Sequence, residues 1–99
     1  MNIKIGFHPE AAREAEAAVL WYAKRSARVA ERFIEELEIA IAAVAEAPDR
    51  WPSFDGEARR ILLRRFPFLV IYRVLQDCIE VLAVAHGRRR PGYWRSRAE

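Results

Sequence analysis

From Ala58 onward the apolar residues of this chain leave a helical spacing and recur at every second position, and that change of period decides the fold. Arg59–Arg65, Phe68–Leu75 and Cys78–Ala85 read as three strands, with turns near Phe66-Pro67 and Gln76-Asp77. A two-residue loop at Gln76-Asp77 sets Leu75 opposite Cys78, and every later pair follows. Val74 then faces Ile79, Tyr72 faces Val81, Val70 faces Ala83 and Phe68 faces Ala85. That face is wholly apolar and needs cover. The other face pairs Arg73 with Glu80, Ile71 with Leu82 and Leu69 with Val84, and His86 continues it. It is expected to stay open to water or a partner. Extended through the previous turn, the pattern adds Arg60, Leu62 and Arg64 to the open face.

The cover comes from the first half. Asn2–Phe7 alternates as a short strand, and His8-Pro9-Glu10 reads as a helix start with proline at the first helical position. Residues 10–25 form one helix, with Ala12, Ala15, Val19 and Tyr22 at helical spacing. Ser26 caps a second helix over residues 27–47, whose stripe is Ala30, Phe33, Ile34, Leu37, Ile41 and Val44. The expected fold is α+β in the order β-α-α-β-β-β: an antiparallel-rich four-stranded sheet with an N-terminal helical hairpin packed on one face. Val70, Tyr72, Val74, Ile79, Val81 and Ala83 should point at Phe33, Leu37 and Ile41. Pro48–Gly56 reads as a loop, pinned by Trp51 and Phe54.

Length allows one domain over residues 1–99, with a basic tail from 86 to 99. At 53% hydrophobic and 31% charged residues, the composition excludes a disordered chain and a disulfide scaffold. The longest uncharged runs, such as Ile39–Ala45, fall far below the ~20 residues of a membrane span. Met1–Phe7 lacks a signal-peptide core, and the lone Cys78 fits a reducing compartment, so the expected setting is the cytoplasm. His8, His86 and Cys78 give no metal-ligand spacing, so neither metal nor cofactor is expected. Charge is segregated. Residues 1–57 hold 7 Lys+Arg against 11 Asp+Glu, and residues 58–99 hold 10 Arg against 3 acids. This implies a polyanion or an acidic protein as partner.

Two stretches are specific enough to resemble a known family. One is Arg59-Arg60-Ile61-Leu62-Leu63-Arg64-Arg65-Phe66-Pro67-Phe68-Leu69-Val70-Ile71-Tyr72-Arg73-Val74. The other, Val81–Trp94, resembles the "A-H-x-x-R-x-P-x-Y-W" ending of the RelE/ParE toxin superfamily, the toxins of type II toxin–antitoxin modules. The resemblance implies a toxin held in a hetero-oligomeric complex by a small cognate antitoxin. It leaves two actions open: poisoning of DNA gyrase, as in ParE-like members, and ribosome-dependent, metal-free mRNA cleavage, as in RelE-like members. Cleavage needs a proton-transfer group and cations for the charged phosphorane. His86, Arg64 and Tyr93 are the catalytic candidates for that case. Arg60, Arg64, Arg73, Arg88, Arg89, Arg90, Trp94 and Arg95 are candidates for binding a target or nucleic acid. Arg73 has a competing partner in Glu80, and Tyr93 and Trp94 are equally suited to packing the tail. Leu69 stands where RelE-like nucleases often carry arginine, and the basic Lys pair common on the preceding strand is absent. Both departures weigh toward the gyrase reading. A non-catalytic nucleic-acid-binding module is the third alternative.

Overall fold

The computed structural model describes residues 3–99. Its elements are β1 (Lys4–Phe7), α1 (Pro9–Ala23), α2 (Ala27–Glu46), a 3-10 turn (Pro48–Arg50), β2 (Ser53–Asp55), β3 (Ala58–Leu62), β4 (Phe68–Val74), β5 (Cys78–His86) and a second 3-10 turn (Arg95–Ala98). Asn2, expected to open the first strand, lies outside the described residues. Each helix begins where a side chain takes up a free amide. His8 Nδ1 accepts from the Glu10 amide at 3.1 Å, and Ser26 Oγ accepts from the Val29 amide at 3.3 Å.

The sheet has five strands in the order β1-β5-β4-β3-β2, one more than expected. The extra strand lies in the segment read as a loop. Asp55 pairs with Ala58 across Gly56-Glu57, and Gly56 takes φ 60°, a turn conformation open to glycine. The first strand joins β5 in parallel, while the other pairings are antiparallel.

The β4–β5 register holds as expected for Val74–Ile79, Arg73–Glu80 and Tyr72–Val81. It then slips by one residue: Ile71 pairs with Ala83, Val70 with Val84, Leu69 with Ala85 and Phe68 with His86. Leu82 is the extra residue of a β-bulge, a feature that alternation alone does not encode. The bulge turns Ala83 away from the helices and brings Val84 beneath them. His86 consequently sits beside Phe68, not on the open face, with the rings edge-on at 5.1 Å. Arg64 also leaves that face. The third strand ends at Leu62, and Glu36 Oε1 on α2 accepts from the backbone amides of Arg64 and Arg65 at 2.9 and 3.0 Å.

Helices and sheet enclose an aromatic nucleus. Phe33 is fully buried, with Tyr22, Phe66 and Phe68 at ring distances of 5.2–5.4 Å. Val70, Val81 and Val84 form its sheet side, and Leu37 and Ile41 pack against it. The Tyr72 hydroxyl donates to the Pro48 carbonyl at 2.7 Å, tying β4 to the end of α2. The opposite face is covered as well. Ile71, Leu82, Ala83 and Ala85 are buried beneath Trp94, which is itself only 4% exposed. No helix among the described residues is long and apolar enough to cross a membrane.

This packing ranks two substitutions on α2. Phe33→Ala is expected to lower unfolding free energy by about 3–5 kcal/mol, read by urea denaturation. Ile39→Ala, at a residue 66% exposed, is expected to stay within about 0.5 kcal/mol of the parent protein.

Candidate functional site

The site grows from a break in the sheet. Strand β1 stops at Phe7, opposite Val81, so the outer edge of β5 beyond Val81 loses its strand partner. Side chains replace it. Glu14 Oε1 accepts from the Val84 amide at 3.0 Å, and an Arg97 guanidinium nitrogen donates to the Leu82 carbonyl at 3.0 Å. The two side chains are joined as well: Arg97 donates to both Glu14 oxygens, at 2.8 and 3.0 Å. The Tyr93 hydroxyl donates to Glu14 Oε2 at 2.7 Å. Arg89 approaches the same oxygen at 3.9 Å and stacks 3.9 Å above the Tyr93 ring. One carboxylate on α1 thus fastens the tail to the sheet.

The electrostatics follow from this crowding. Burial alone would raise the Glu14 carboxyl, but the hydrogen bonds from Arg97, Tyr93 and Val84 outweigh it and hold Glu14 below its ordinary value. Burial, and then donation to a carboxylate, push the Tyr93 phenol far above its ordinary range. Tyr93 is therefore a fixed proton donor to Glu14 at neutral pH. Its hydrogen bond to Glu14 raises the Arg97 guanidinium further, against the opposing effect of burial.

The tail places the remaining candidates around this anchor. Gly92, with φ 77°, makes the turn that returns Trp94 to the sheet, and a Cβ there would meet the Arg95 side chain at 2.5 Å. Arg95 pairs with Asp55 at 2.7 Å. Arg60 lies 4.5 Å over the Phe54 ring, which packs 5.8 Å from Trp94. His86 Nδ1 accepts from the Arg88 amide at 3.0 Å. Together His86, Arg60, Arg89, Arg90, Trp94 and Arg95 line one cavity of about 300 Å³. Arg88 is exposed nearby.

Two candidates fall elsewhere. Arg73 donates to Glu80 at 2.8 Å and to the Ala98 carbonyl at 2.7 Å, so it braces the tail from behind. Arg64 lines a different groove, against α2. Among the three catalytic candidates, His86 and Tyr93 are therefore neighbours and Arg64 is apart from them. A second concavity, about 520 Å³, runs along α1 past Trp21, Tyr22 and Phe68 to His86 and Arg89. Within the described residues, no group of His, Cys, Asp and Glu is placed to hold a metal ion.

Sequence reasoning missed Glu14, Arg97, Asp55 and Glu36. A signal for Glu14 existed: it lies three residues after Ala11 and four before Ala18, both buried. An acid on the buried stripe of a helix requires a partner. Its partners stand 70 to 83 residues away, where periodicity carries no information.

The family model described as "ParE toxin of type II toxin-antitoxin system, parDE" matches residues 5–91. The match includes Glu14 and His86 and stops short of Tyr93 and Arg97. A solved structure described as the chromosomal ParDE TA system from P. aeruginosa is similar in fold, with a TM-score of 0.74 and 18% identity. The likeness covers 85% of this chain and 95% of that one. No curated protein matches the chain.

The anchor predicts a pH dependence. Glu14 holds its charge to lower pH in the folded state than in the unfolded one, so its contribution is complete above the ordinary value of 4.5. The contribution drains away as pH falls through the lower folded value. Glu14→Gln is expected to cost about 1.5–3 kcal/mol at pH 7. That difference should shrink steadily below about pH 4.5 in urea titrations of both proteins.

Proposed function

The chain belongs to the ParE toxin family of type II toxin–antitoxin systems, and from that premise we propose that it arrests growth by binding DNA gyrase without cutting RNA. A cognate antitoxin holds it inactive in a hetero-oligomeric complex in the cytoplasm. The observation that carries the gyrase reading is the state of the nuclease candidates. Metal-free cleavage needs a movable proton and phosphate ligands converging on one point. Tyr93 is committed to Glu14, Arg73 to Glu80 and the tail backbone, and Arg64 lies in another groove. Leu69 contributes no cation.

What the tail does offer is a surface. Arg88, Arg89 and Arg90 are exposed, on a segment held rigidly by Trp94 and Glu14. Arginines fixed by a buried anchor suit recognition of an acidic protein patch, because less side-chain and backbone freedom is lost on binding. On this reading His86 shapes the tail turn through the Arg88 amide, and Arg60, Arg90 and Arg95 extend the contact surface. Trp94 acts from beneath, as the packing anchor of the tail.

Induced expression of the chain alone should arrest growth, and the purified protein should inhibit gyrase supercoiling while primer extension finds transcripts intact. His86→Ala should leave inhibition within a few-fold. The double change Arg88→Ala with Arg90→Ala should weaken it about tenfold or more and reduce its salt dependence. Codon-phased cuts in mRNA with unaffected supercoiling would reverse the assignment.

A further inference from the structure

Four rings stand in an unbroken row along the α1 concavity. Trp21 meets Tyr22 at 5.0 Å, Tyr22 meets Phe68 at 6.3 Å, and Phe68 meets His86 at 5.1 Å, each pair edge-on. The small side chains of Ala17 and Ala18 line the helix side between them. Glu14 lies two helical turns before Trp21, about 10 Å along the axis, and Arg89 closes that end. The Trp21 indole is half exposed yet held in place. Arg25 lies 3.4 Å over its ring and donates to the Trp21 carbonyl at 2.8 Å. Two polar groups at the far end are unspent. Each Glu14 oxygen already accepts two hydrogen bonds, Oε1 from Val84 and Arg97, and Oε2 from Tyr93 and Arg97. Arg89, 3.9 Å from Oε2, stands outside that set, beyond hydrogen-bond distance and with its side chain 53% exposed. His86 Nδ1 accepts from the Arg88 amide, so the proton of the neutral ring sits on Nε2, a donor with no acceptor among the described residues.

We infer that this concavity binds a small, flat aromatic carboxylate, with its rings beside Trp21, Tyr22 and Phe68 and its carboxylate on Arg89 and the His86 Nε2–H. The volume of about 520 Å³ falls within the ~300–1,000 Å³ of small-molecule clefts, which pair an apolar lining with a few placed polar groups. A flat ring extends the aromatic row by stacked or edge-on contact, a gain that an alkyl chain of equal area lacks. The sign of the charge follows from the site. Glu14 is neutralised by Arg97, and the two cations left over, Arg89 and Arg25, stand at opposite ends of the hollow. The planar guanidinium of Arg89 takes a carboxylate through two parallel N–H groups. The concavity shares only His86 and Arg89 with the cavity under the tail, so a bound carboxylate rests against the turn that presents Arg88 and Arg90. The inference does not depend on which target the toxin meets.

The probe is naphthoate, titrated into the purified full chain and followed by calorimetry and amide NMR shifts. One saturable site is expected, with the shifts centred on Ala18, Trp21, Phe68 and Arg89. Naphthalenemethanol, which keeps the rings and removes the charge, should bind about tenfold or more weakly. Decanoate, which keeps the charge and removes the rings, should do the same. Arg89→Ala and Trp21→Ala alter exposed side chains and are checked for unchanged melting. Each should weaken naphthoate about tenfold, with Arg89→Lys and Trp21→Phe recovering part of the loss. Leu62→Ala, in the groove beside α2, should leave binding within a few-fold. Absence of binding at millimolar naphthoate overturns the inference. Equal affinity for the neutral alcohol also overturns it, because the cationic end is then not read. Decanoate binding as tightly as naphthoate assigns the hollow to an acyl chain and overturns it too, as do shifts centred on Arg60, Arg90 and Arg95 under the tail. Each of these results leaves the gyrase reading standing.

Discussion

The Glu14 carboxylate is the constraint on which the C-terminal part of the molecule depends. Strand β1 is too short to pair the whole of β5, and an unpaired backbone edge inside a fold costs free energy comparable to a lost hydrogen bond. Glu14 and Arg97 satisfy that edge in place of a strand, and the Tyr93 hydroxyl completes the set. A carboxylate and a guanidinium at 15% and 12% side-chain exposure are costly to remove from water singly. Together, with each oxygen and the neighbouring amide bonded, the cost is offset. The tail is consequently part of the fold and not an appendage to it. Its outward arginines inherit the rigidity of the core.

The charge segregation seen along the chain has a second meaning in three dimensions. Asp49, Asp55 and Glu14 come from the acidic half, and they pair with Arg59, Arg95, Arg89 and Arg97 of the basic half. Much of the imbalance that reads as a partner signal is therefore spent internally. What stays outward is narrower: Arg88 and Arg90 on the tail, and Arg64 and Arg65 at the opposite side of the sheet. Two separate cationic surfaces result, one on the tail and one beside α2.

The two helices, the Phe33 stripe and the first three β4–β5 pairs were legible because each rests on local chemistry or on strict periodicity. Ser26, Pro9 and the Phe33 stripe announce themselves within a few residues. The slip at Leu82 was not legible, because an extra residue in a run of Val, Leu and Ala leaves no mark on an apolar pattern. That single residue moved His86 and Ala83 to the wrong faces in the sequence reading. The strand at Ser53–Asp55 was hidden by its brevity and by flanking proline and glycine. Arg64 was misplaced for a different reason: the side chain that ends β3 belongs to Glu36, 28 residues earlier. The Arg73–Glu80 pair, by contrast, was given by the two-residue turn and is present at 2.8 Å.

The distance in sequence between Glu14 and Arg97 also orders events during synthesis. The acid on the helix is made first, and its cation follows 83 residues later. At ~5–20 residues per second, that interval is about 4–17 s. Until it ends, Glu14 lacks its tail partner Arg97, and the Leu82 carbonyl lacks the guanidinium that pairs it in the finished fold. The surface bearing Arg88 and Arg90 is then the last part of the molecule to acquire its shape.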